Sequence, residues 1–132
     1  MGVGRAQGTA SADGRGLIPA PGEIWYAFTD AAHRRPVIIV SREELNRGGY
    51  VTIVPVTSKK FDARKSLPNC VPLFASRFGL QVDSTAQAEN ITLVAHSDLD
   101  IDCGAIGELD RTTMRALIKA IGHVIASDCE PA

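Results

Sequence analysis

Short segments rich in β-branched and aromatic residues follow one another along this chain, separated by turns. The first is Glu23–Phe28, after the rigid turn at residues 19–22, and the second is the apolar run at residues 36–40. A continuous apolar run of that length favours a strand buried on both faces. Tyr50–Thr57 is a third predicted strand, and further candidates lie at residues 69–75, 84–91 and 102–109. Five or six short strands in succession predict a small, mostly antiparallel barrel.

Two helices are predicted beside the strands. Ser41 is expected to cap a short helix that carries Glu43 and Glu44 in its first turn, where the helix dipole favours acids. Near the C-terminus, Asp110 is the expected cap of a longer helix. The apolar residues of that helix recur at helical spacing on one face: Met114, Leu117, Ile118, Ile121, Val124 and Ile125. We expect this face to pack on the barrel or on a partner, with the barrel as the stronger expectation.

The length of 132 residues predicts one domain. Residues 1–18 consist largely of Gly, Ala, Ser and Arg without apolar periodicity, so a flexible tail is expected there and the domain at 19–132. Neither a membrane span nor a secretory signal is predicted, because no apolar run approaches about 18 residues. The three cysteines, Cys70, Cys103 and Cys129, have no close pairing, which favours free thiols in a reducing cytoplasm over disulfides or zinc.

Charge is distributed unevenly, although the net formal charge is only -1. Residues 34–77 hold nine of the fourteen Lys and Arg residues against three acids, whereas residues 81–110 hold seven acids and no Lys or Arg. The whole surface is therefore not expected to bind a polyanion, but a local basic surface is.

Several short motifs occur in order through nearly the whole predicted domain. They are PGEIW at 21–25, RPVIIVS at 35–41, VPVTS at 54–58, GL at 79–80, STAQAENI at 84–91 and IGEL at 106–109. Taken together they resemble the landmarks of the MazF/PemK toxin endoribonucleases of type II toxin-antitoxin systems. The resemblance implies an SH3-like barrel and a cytoplasmic homodimer. It also implies cleavage of single-stranded RNA without a metal or cofactor, and inhibition by an acidic, partly disordered MazE-like antitoxin that lies in the active groove.

Cleavage of this kind requires a base for the 2′-hydroxyl proton, positive charge on the phosphorane oxygens and an acid for the leaving oxygen. The resemblance assigns the catalytic arginine to Arg35, whose guanidinium can give two parallel donors to a phosphate. It assigns a phosphate-binding hydroxyl to Thr57 and an acid to Glu89, a candidate base. His33 is a fourth candidate, because histidine exchanges protons near neutral pH. The alternatives are a surface arginine, a turn-capping threonine, a solvated acid and a solvated histidine.

The basic segment after Thr57 is expected to follow the backbone of a single strand, with Phe61 stacking on a base. An equally simple alternative is a solvated loop kept soluble by its charge. The complete set of expected RNA contacts is Arg34, Ser58, Lys59, Lys60, Phe61, Arg64, Gln87 and Asn90.

Two features depart from the family pattern. Thr92 stands where a basic residue is usual, and the link before Arg35 is short and lacks the usual glycines. These departures are the hints for one alternative, a degenerate toxin kept as an antitoxin-binding module. A second alternative is a non-catalytic toxin on the same barrel, resembling CcdB, that binds DNA gyrase through its terminal helix; the presence of Arg35 with Thr57 argues against it.

Overall fold

The computed structural model describes residues 18–125, so almost all of the predicted tail at 1–18 lies outside the described residues. Seven strands and four α-helices make up the described chain. In chain order they are β1 (Glu23–Phe28), β2 (Arg34–Ile39), α1 (Glu43–Asn46), β3 (Tyr50–Thr57), α2 (Phe61–Arg64), β4 (Cys70–Leu73), α3 (Ala75–Phe78), β5 (Ser84–Gln87), β6 (Thr92–Ala95), β7 (Gly107–Glu108) and α4 (Arg111–Val124). Two 3-10 turns, Ala88–Asn90 and His96–Asp98, flank β6.

All strand pairs are antiparallel, and the strands lie in the order β4-β5-β3-β2-β1-β7, with β6 paired to β3 off this path. The long strand β3 therefore organises the sheet, because it pairs with β2, β5 and β6 along different parts of its length. The predicted small antiparallel barrel, with a short inserted helix and a longer C-terminal helix, is confirmed.

A contact between two glycines brings the two ends of the strand order together. Gly79 follows α3 next to β4 and has φ +77°, and a Cβ built on it would lie 2.3 Å from the Ile106 carbonyl oxygen. A Cβ built on Gly107 in β7 would lie 2.1 Å from the Phe78 carbonyl oxygen. Only residues without a side chain allow two backbones to approach so closely. We call this contact the closing seam.

Side chains alternate between two apolar clusters on opposite faces of the sheet. Ile24, Ile38 and Val54 face the inner cluster, where α4 contributes the buried Leu117. The other face carries a second cluster that includes Trp25, Val37, Ile39, Ile53 and Leu99. Strand β2 is thus buried on both faces, as its continuous apolar run predicts.

The expected apolar face of α4 packs mainly on the barrel: Leu117 and Ala120 are buried, and Met114, Ile121 and Val124 pack on the inner cluster. Ile118 and Ile125 remain exposed. The Asp110 cap is confirmed, since its carboxylate accepts a hydrogen bond of 2.7 Å from the Thr113 amide. Within the described range, no helix combines the length and the apolarity needed to cross a membrane.

The predicted cap at Ser41 is wrong. Helix α1 begins at Glu43 with Arg42 as its N-cap. The Ser41 hydroxyl instead donates to the Asn46 side chain and accepts a hydrogen bond of 2.9 Å from the Thr52 amide. This hydroxyl therefore ties the exit of β2 to β3 and is not available to the helix.

Several predicted element boundaries also need correction. The segment at 84–91 is not one strand, because the chain turns into a 3-10 helix at Ala88. The expected loop after Thr57 contains α2, and strand β6 was not predicted at all. The strands expected at 69–75 and 102–109 shorten to Cys70–Leu73 and Gly107–Glu108.

Candidate functional site

An open groove of ≈ 270 Å³ lies at the end of the barrel where β2 begins and β3 ends. Its first wall comes from β1 and β2, and its second from the end of β3 and the turn that follows. The third wall is the segment between the closing seam and β5. The lining residues are Tyr26, Arg34, Arg35 and Pro36, then Val56, Thr57, Ser58 and Lys59, and finally Leu80, Gln81, Val82 and Ser84.

The pairing of β2 with β3 explains why Arg35 and Thr57 share this groove. Val37 lies opposite Pro55, and the strands run antiparallel. The paired stretch ends there, and Arg35 and Thr57 lie two residues farther along their strands, where both line the groove. Two positions that are 22 residues apart in the sequence thereby reach the same groove.

Arg35 is an exposed cation at the mouth of the groove. No carboxylate of residues 18–125 lies within ion-pair distance of its guanidinium. A guanidinium stays charged at any physiological pH and presents its donors in a planar fork. Its charge is thus available to an anionic ligand without first displacing a protein acid.

Thr57 makes the turn-capping contact that was one of the two roles considered for it, and its phosphate-binding role stays a prediction. Its hydroxyl oxygen accepts a hydrogen bond of 3.2 Å from the Lys59 amide, which is a turn-capping contact. A threonine hydroxyl also carries one proton that it can donate. Because the hydroxyl accepts from the amide, its own proton is not used in that contact, and Thr57 lines the groove. Ser58 and Lys59 are exposed beside it.

Arg34 differs sharply from its neighbour Arg35. Its guanidinium forms an ion pair with the Asp100 carboxylate, and its Cζ lies 4.0 Å from the centre of the Tyr26 ring. The hydrogen bond from Arg34 to Asp100 raises the pKa of the guanidinium above its ordinary value, against the opposing effect of desolvation. Of the two arginines at the groove, Arg34 is therefore fixed and charge-balanced by Asp100, whereas Arg35 has no acidic partner among residues 18–125.

Glu89 lies away from this groove. It sits in the 3-10 turn Ala88–Asn90, beyond the end of β5 opposite to Ser84, and accepts a hydrogen bond of 2.8 Å from the Asn69 side chain. Strand β5 alone is roughly 10 Å long at its usual rise per residue. Within one protomer, the Glu89 carboxylate is thus well separated from the Arg35 side chain. The role of Glu89 as a base stays a prediction.

A second group of predicted RNA contacts surrounds Glu89. Gln87 is buried at the end of β5 opposite Cys70, and Asn90 is exposed in the 3-10 turn. Burial raises the pKa of the Cys70 thiol; the Glu89 carboxylate adds to this rise, and the nearby Arg64 guanidinium opposes it. These residues are therefore grouped at the far end of β5, apart from the groove at Arg35.

His33 lies in the exposed turn between β1 and β2, two residues before Arg35, and is not among the groove residues. Its Nδ1 is 2.9 Å from an Asp30 carboxylate oxygen. The pKa of Asp30 is lowered, chiefly by the Ala32 amide and then by the His33 ring. One ring nitrogen of His33 is therefore engaged, and Nε2 is left for other contacts.

The remaining predicted contacts, Lys60 and Phe61, lie at the start of α2. Lys60 is exposed and has left-handed backbone, with φ 56°. The Phe61 ring packs edge-on against Phe74 at 5.9 Å, with the Lys65 ammonium 5.6 Å from its centre. Part of the Phe61 ring surface is thus already covered within the protein.

Sequence reasoning did not identify Tyr26, Gln81, Val82 or Ser84 as groove residues. The Gly79-Leu80 motif could have indicated the third wall of the groove, because the residues from Leu80 onward line it. In the part of the chain that the structure describes, no cluster of three or more His, Cys, Asp or Glu residues could hold a metal ion.

Comparisons with known proteins point in one direction. The family model described as PemK-like, MazF-like toxin of type II toxin-antitoxin system matches residues 20–125. Endoribonuclease MazF9 of Mycobacterium tuberculosis is 34% identical over 110 residues, covering 74% of this chain and 91% of that protein.

Solved structures agree with this match. The Mycobacterium tuberculosis toxin MazF-mt6 superposes with a TM-score of 0.64 at 28% identity, covering 77% of this chain and 94% of that one. An endoribonuclease from a mycobacterial species, in complex with its cognate antitoxin, gives a TM-score of 0.67 at 23% identity and covers 83% and 96%. At that lower identity the likeness concerns the fold alone.

Proposed function

Since this chain belongs to the PemK-like, MazF-like toxins of type II toxin-antitoxin systems, we propose that the groove at Arg35 and Thr57 is where it cleaves single-stranded RNA. The chain is a toxin endoribonuclease of this family. One observation supports the assignment of the groove most strongly: Arg35, a cation without an acidic partner in the described chain, lines the same groove as the hydroxyl-bearing Thr57.

The proposed reaction needs no metal ion. A ribose 2′-oxygen attacks the adjacent phosphorus as its proton leaves, the bond from phosphorus to the 5′-oxygen breaks, and that oxygen takes up a proton. The products are a 2′,3′-cyclic phosphate and a 5′-hydroxyl end. Arg35 binds the two non-bridging oxygens, where negative charge increases in the transition state, and Thr57 donates a hydrogen bond to one of them. One such donor typically contributes about 10²–10³-fold in rate.

Proton transfer is assigned to His33 or Glu89, and these candidates reach the groove differently. His33 lies in the turn directly before the groove arginines at the start of β2, so a movement of that turn would bring Nε2 toward bound RNA. Glu89 lies beyond the far end of β5 in its own protomer. Glu89 could act at this groove only if the second protomer of a homodimer supplied it. The site residues of the two protomers would then flank one shared groove.

The remaining RNA contacts extend the binding surface beyond the groove. Ser58, Lys59 and Lys60 follow Thr57 directly, so they are placed to contact the phosphates next to the one that is cleaved. Phe61 and Arg64 lie farther away in α2, and Asn90 lies in the 3-10 turn after β5, where a longer strand of RNA or the second protomer would reach them. Gln87 is buried at the end of β5, so its contact with RNA would require a local rearrangement.

The natural inhibitor is proposed to be an acidic antitoxin. One similar fold is that of an endoribonuclease in complex with its cognate antitoxin. Here Arg35, which has no acidic partner among residues 18–125, and Lys59 in the same groove would attract an acidic peptide as they attract RNA. Because both RNA and antitoxin are intracellular ligands, the toxin is proposed to act in the cytoplasm.

The proposed reaction is tested by incubating purified protein with several single-stranded RNAs in excess EDTA. We expect cleavage to continue, with new 5′ ends that polynucleotide kinase labels without prior phosphatase treatment, since they carry hydroxyls. Intact RNA in EDTA together with cleavage in Mg²⁺ would exclude the metal-free reaction. Products bearing 5′-phosphates would exclude attack by the 2′-hydroxyl.

A further inference from the structure

Arg34 is held in the groove by two contacts that do not involve its neighbour Arg35. We propose that the Arg34 guanidinium is a stacking platform for one base of the bound RNA, and that Asp100 is the positioning residue that holds it. This inference rests on the proposed function, because it assigns a base-binding subsite to the same groove.

Asp100, which would hold the platform, is itself fixed by hydrogen bonds. The Asp100 side chain is only 14% exposed, its amide donates a 2.8 Å hydrogen bond to the Tyr26 carbonyl, and its Oδ1 accepts one of 3.1 Å from the Cys103 amide. Its other oxygen, Oδ2, holds Arg34. Asp100 and Tyr26 are therefore fixed relative to each other through the backbone, and Arg34 is bound to both.

The guanidinium contacts the Tyr26 ring, yet its side chain stays partly accessible. Its Cζ lies 4.0 Å from the centre of the Tyr26 ring, which is stacking distance. The Arg34 side chain is nevertheless 43% exposed and lines the groove. Planar guanidinium groups stack on nucleobases in RNA recognition. A base entering the groove would thus extend an existing stack of Tyr26 and Arg34.

Charge distinguishes a base from a phosphate as the ligand of Arg34. A phosphate bound to this guanidinium would approach the Asp100 carboxylate as well, and the two anions would repel each other. A base carries no net charge and pays no such penalty. Arg35, which has no acidic partner in the described chain, is the arginine suited to phosphate. Of the two adjacent arginines, Arg34 would thus bind a base and Arg35 a phosphate.

The test is a binding scan with a 2′-O-methyl oligonucleotide that contains a sequence the wild-type protein cleaves. The methyl groups block cleavage, and an abasic site is moved through the oligonucleotide one position at a time. Stacking of a base on a side chain predicts one position at which the wild-type protein loses between about fivefold and about 150-fold in affinity. In Arg34→Lys, which keeps the charge but lacks the plane, that loss should shrink at this position alone.

Asp100→Asn gives an independent readout. It keeps the shape but removes the carboxylate, so Arg34 should become available to phosphate. We expect weaker discrimination at the stacked position, together with a salt dependence of binding that steepens by up to about 0.7 in log–log slope. A purely structural role for Asp100 would lower the melting temperature without changing either quantity. Melting curves and the Arg42→Ala variant, which alters an exposed arginine at α1, serve as controls.

Equal abasic losses in wild type and Arg34→Lys at every position would overturn the platform. So would an Arg34→Ala variant whose salt slope falls by about 0.7 with no position-specific coupling, because that pattern marks a phosphate contact. If the wild-type protein neither binds nor cleaves RNA, the proposed function and the platform fail together. If it cleaves RNA without the coupling, only the platform fails.

Discussion

Substituting Gly107 by alanine should open the closing seam of the barrel. The added Cβ would lie 2.1 Å from the Phe78 carbonyl oxygen, whereas ordinary contacts begin at 3.4 Å. The obstructing atom belongs to the backbone, so no side-chain rotation relieves the clash, and β7 or the end of α3 must move by more than about 1 Å.

The expected cost follows from this displacement. Overpacking a well-packed site typically costs about 1–3 kcal/mol, and a clash with backbone belongs at the upper end of that range. For a chain of this size, each kcal/mol shifts the melting temperature by roughly 3–5 °C, which predicts a drop of about 10 °C. Leu80 and Val82 line the groove just after the seam, so cleavage should also weaken at temperatures where the variant is still folded.

Thermal unfolding followed by circular dichroism measures this, and the chain offers a matched control. Gly122 lies in α4, and a Cβ there would meet nothing within 4 Å. Gly122→Ala should therefore be neutral or stabilise the protein by up to about 1 kcal/mol, since alanine is the better helix former. A Gly107→Ala variant that melts within about 2 °C of wild type would refute the closure argument.

Three further predictions concern the groove and the terminal helix. Thr57→Val, which keeps the shape but removes the hydroxyl, should reduce the single-turnover cleavage rate by about 10²-fold, and Thr57→Ser should recover most of it; equal rates for the two variants would remove the hydroxyl from the reaction. His33→Ala should slow cleavage by about 10²–10⁴-fold and abolish one limb of the pH–rate profile; if only Glu89→Gln does so, Glu89 is the proton-transfer group. Asp110→Ala should lower the melting temperature at neutral pH, because the Thr113 amide lowers the pKa of that carboxyl below 3.8. Since the folded pKa lies below the unfolded one, the difference from wild type should be full above pH of about 4 and vanish as the pH falls through the folded pKa; a difference that persists unchanged at pH 2 would contradict this.

Much of the barrel could be predicted from local patterns. Apolar runs with turn residues at their ends place β1, β2 and β3 well, and helical spacing after Asp110 places α4. Strand β6 was not predicted because its exposed Leu93 and Thr92 give no alternating pattern. In the described part of the chain it pairs with β3 alone, which lies about 40 residues earlier. A strand that forms mainly because of its pairing partner shows little strand pattern in its own sequence.

The groove likewise contains residues that local motifs predict and residues that depend on the whole fold. An antiparallel pairing of β2 with β3 brings Arg35 to Thr57 once the register is known, so motif positions sufficed for these two residues. Glu89 was expected to lie within a strand at 84–91, but β5 ends at Gln87 and the 3-10 turn places Glu89 at the far end of β5 from the groove. The pairing of Arg34 with Asp100 joins residues 66 positions apart and depends on the whole fold, so no local pattern could reveal it.

The rate of RNA cleavage by Arg35→Ala tests the central claim most directly, with Arg42→Ala as the matched loss of one exposed arginine outside the groove. Both variants are compared with wild type under single-turnover conditions in EDTA, after melting curves show that they are folded. We predict that Arg35→Ala is slower by about 10²–10³-fold, as expected for loss of a group that stabilises the transition state, and that Arg42→Ala stays within about twofold of wild type. An Arg35→Ala protein that cleaves RNA as fast as Arg42→Ala would contradict the assignment of the groove.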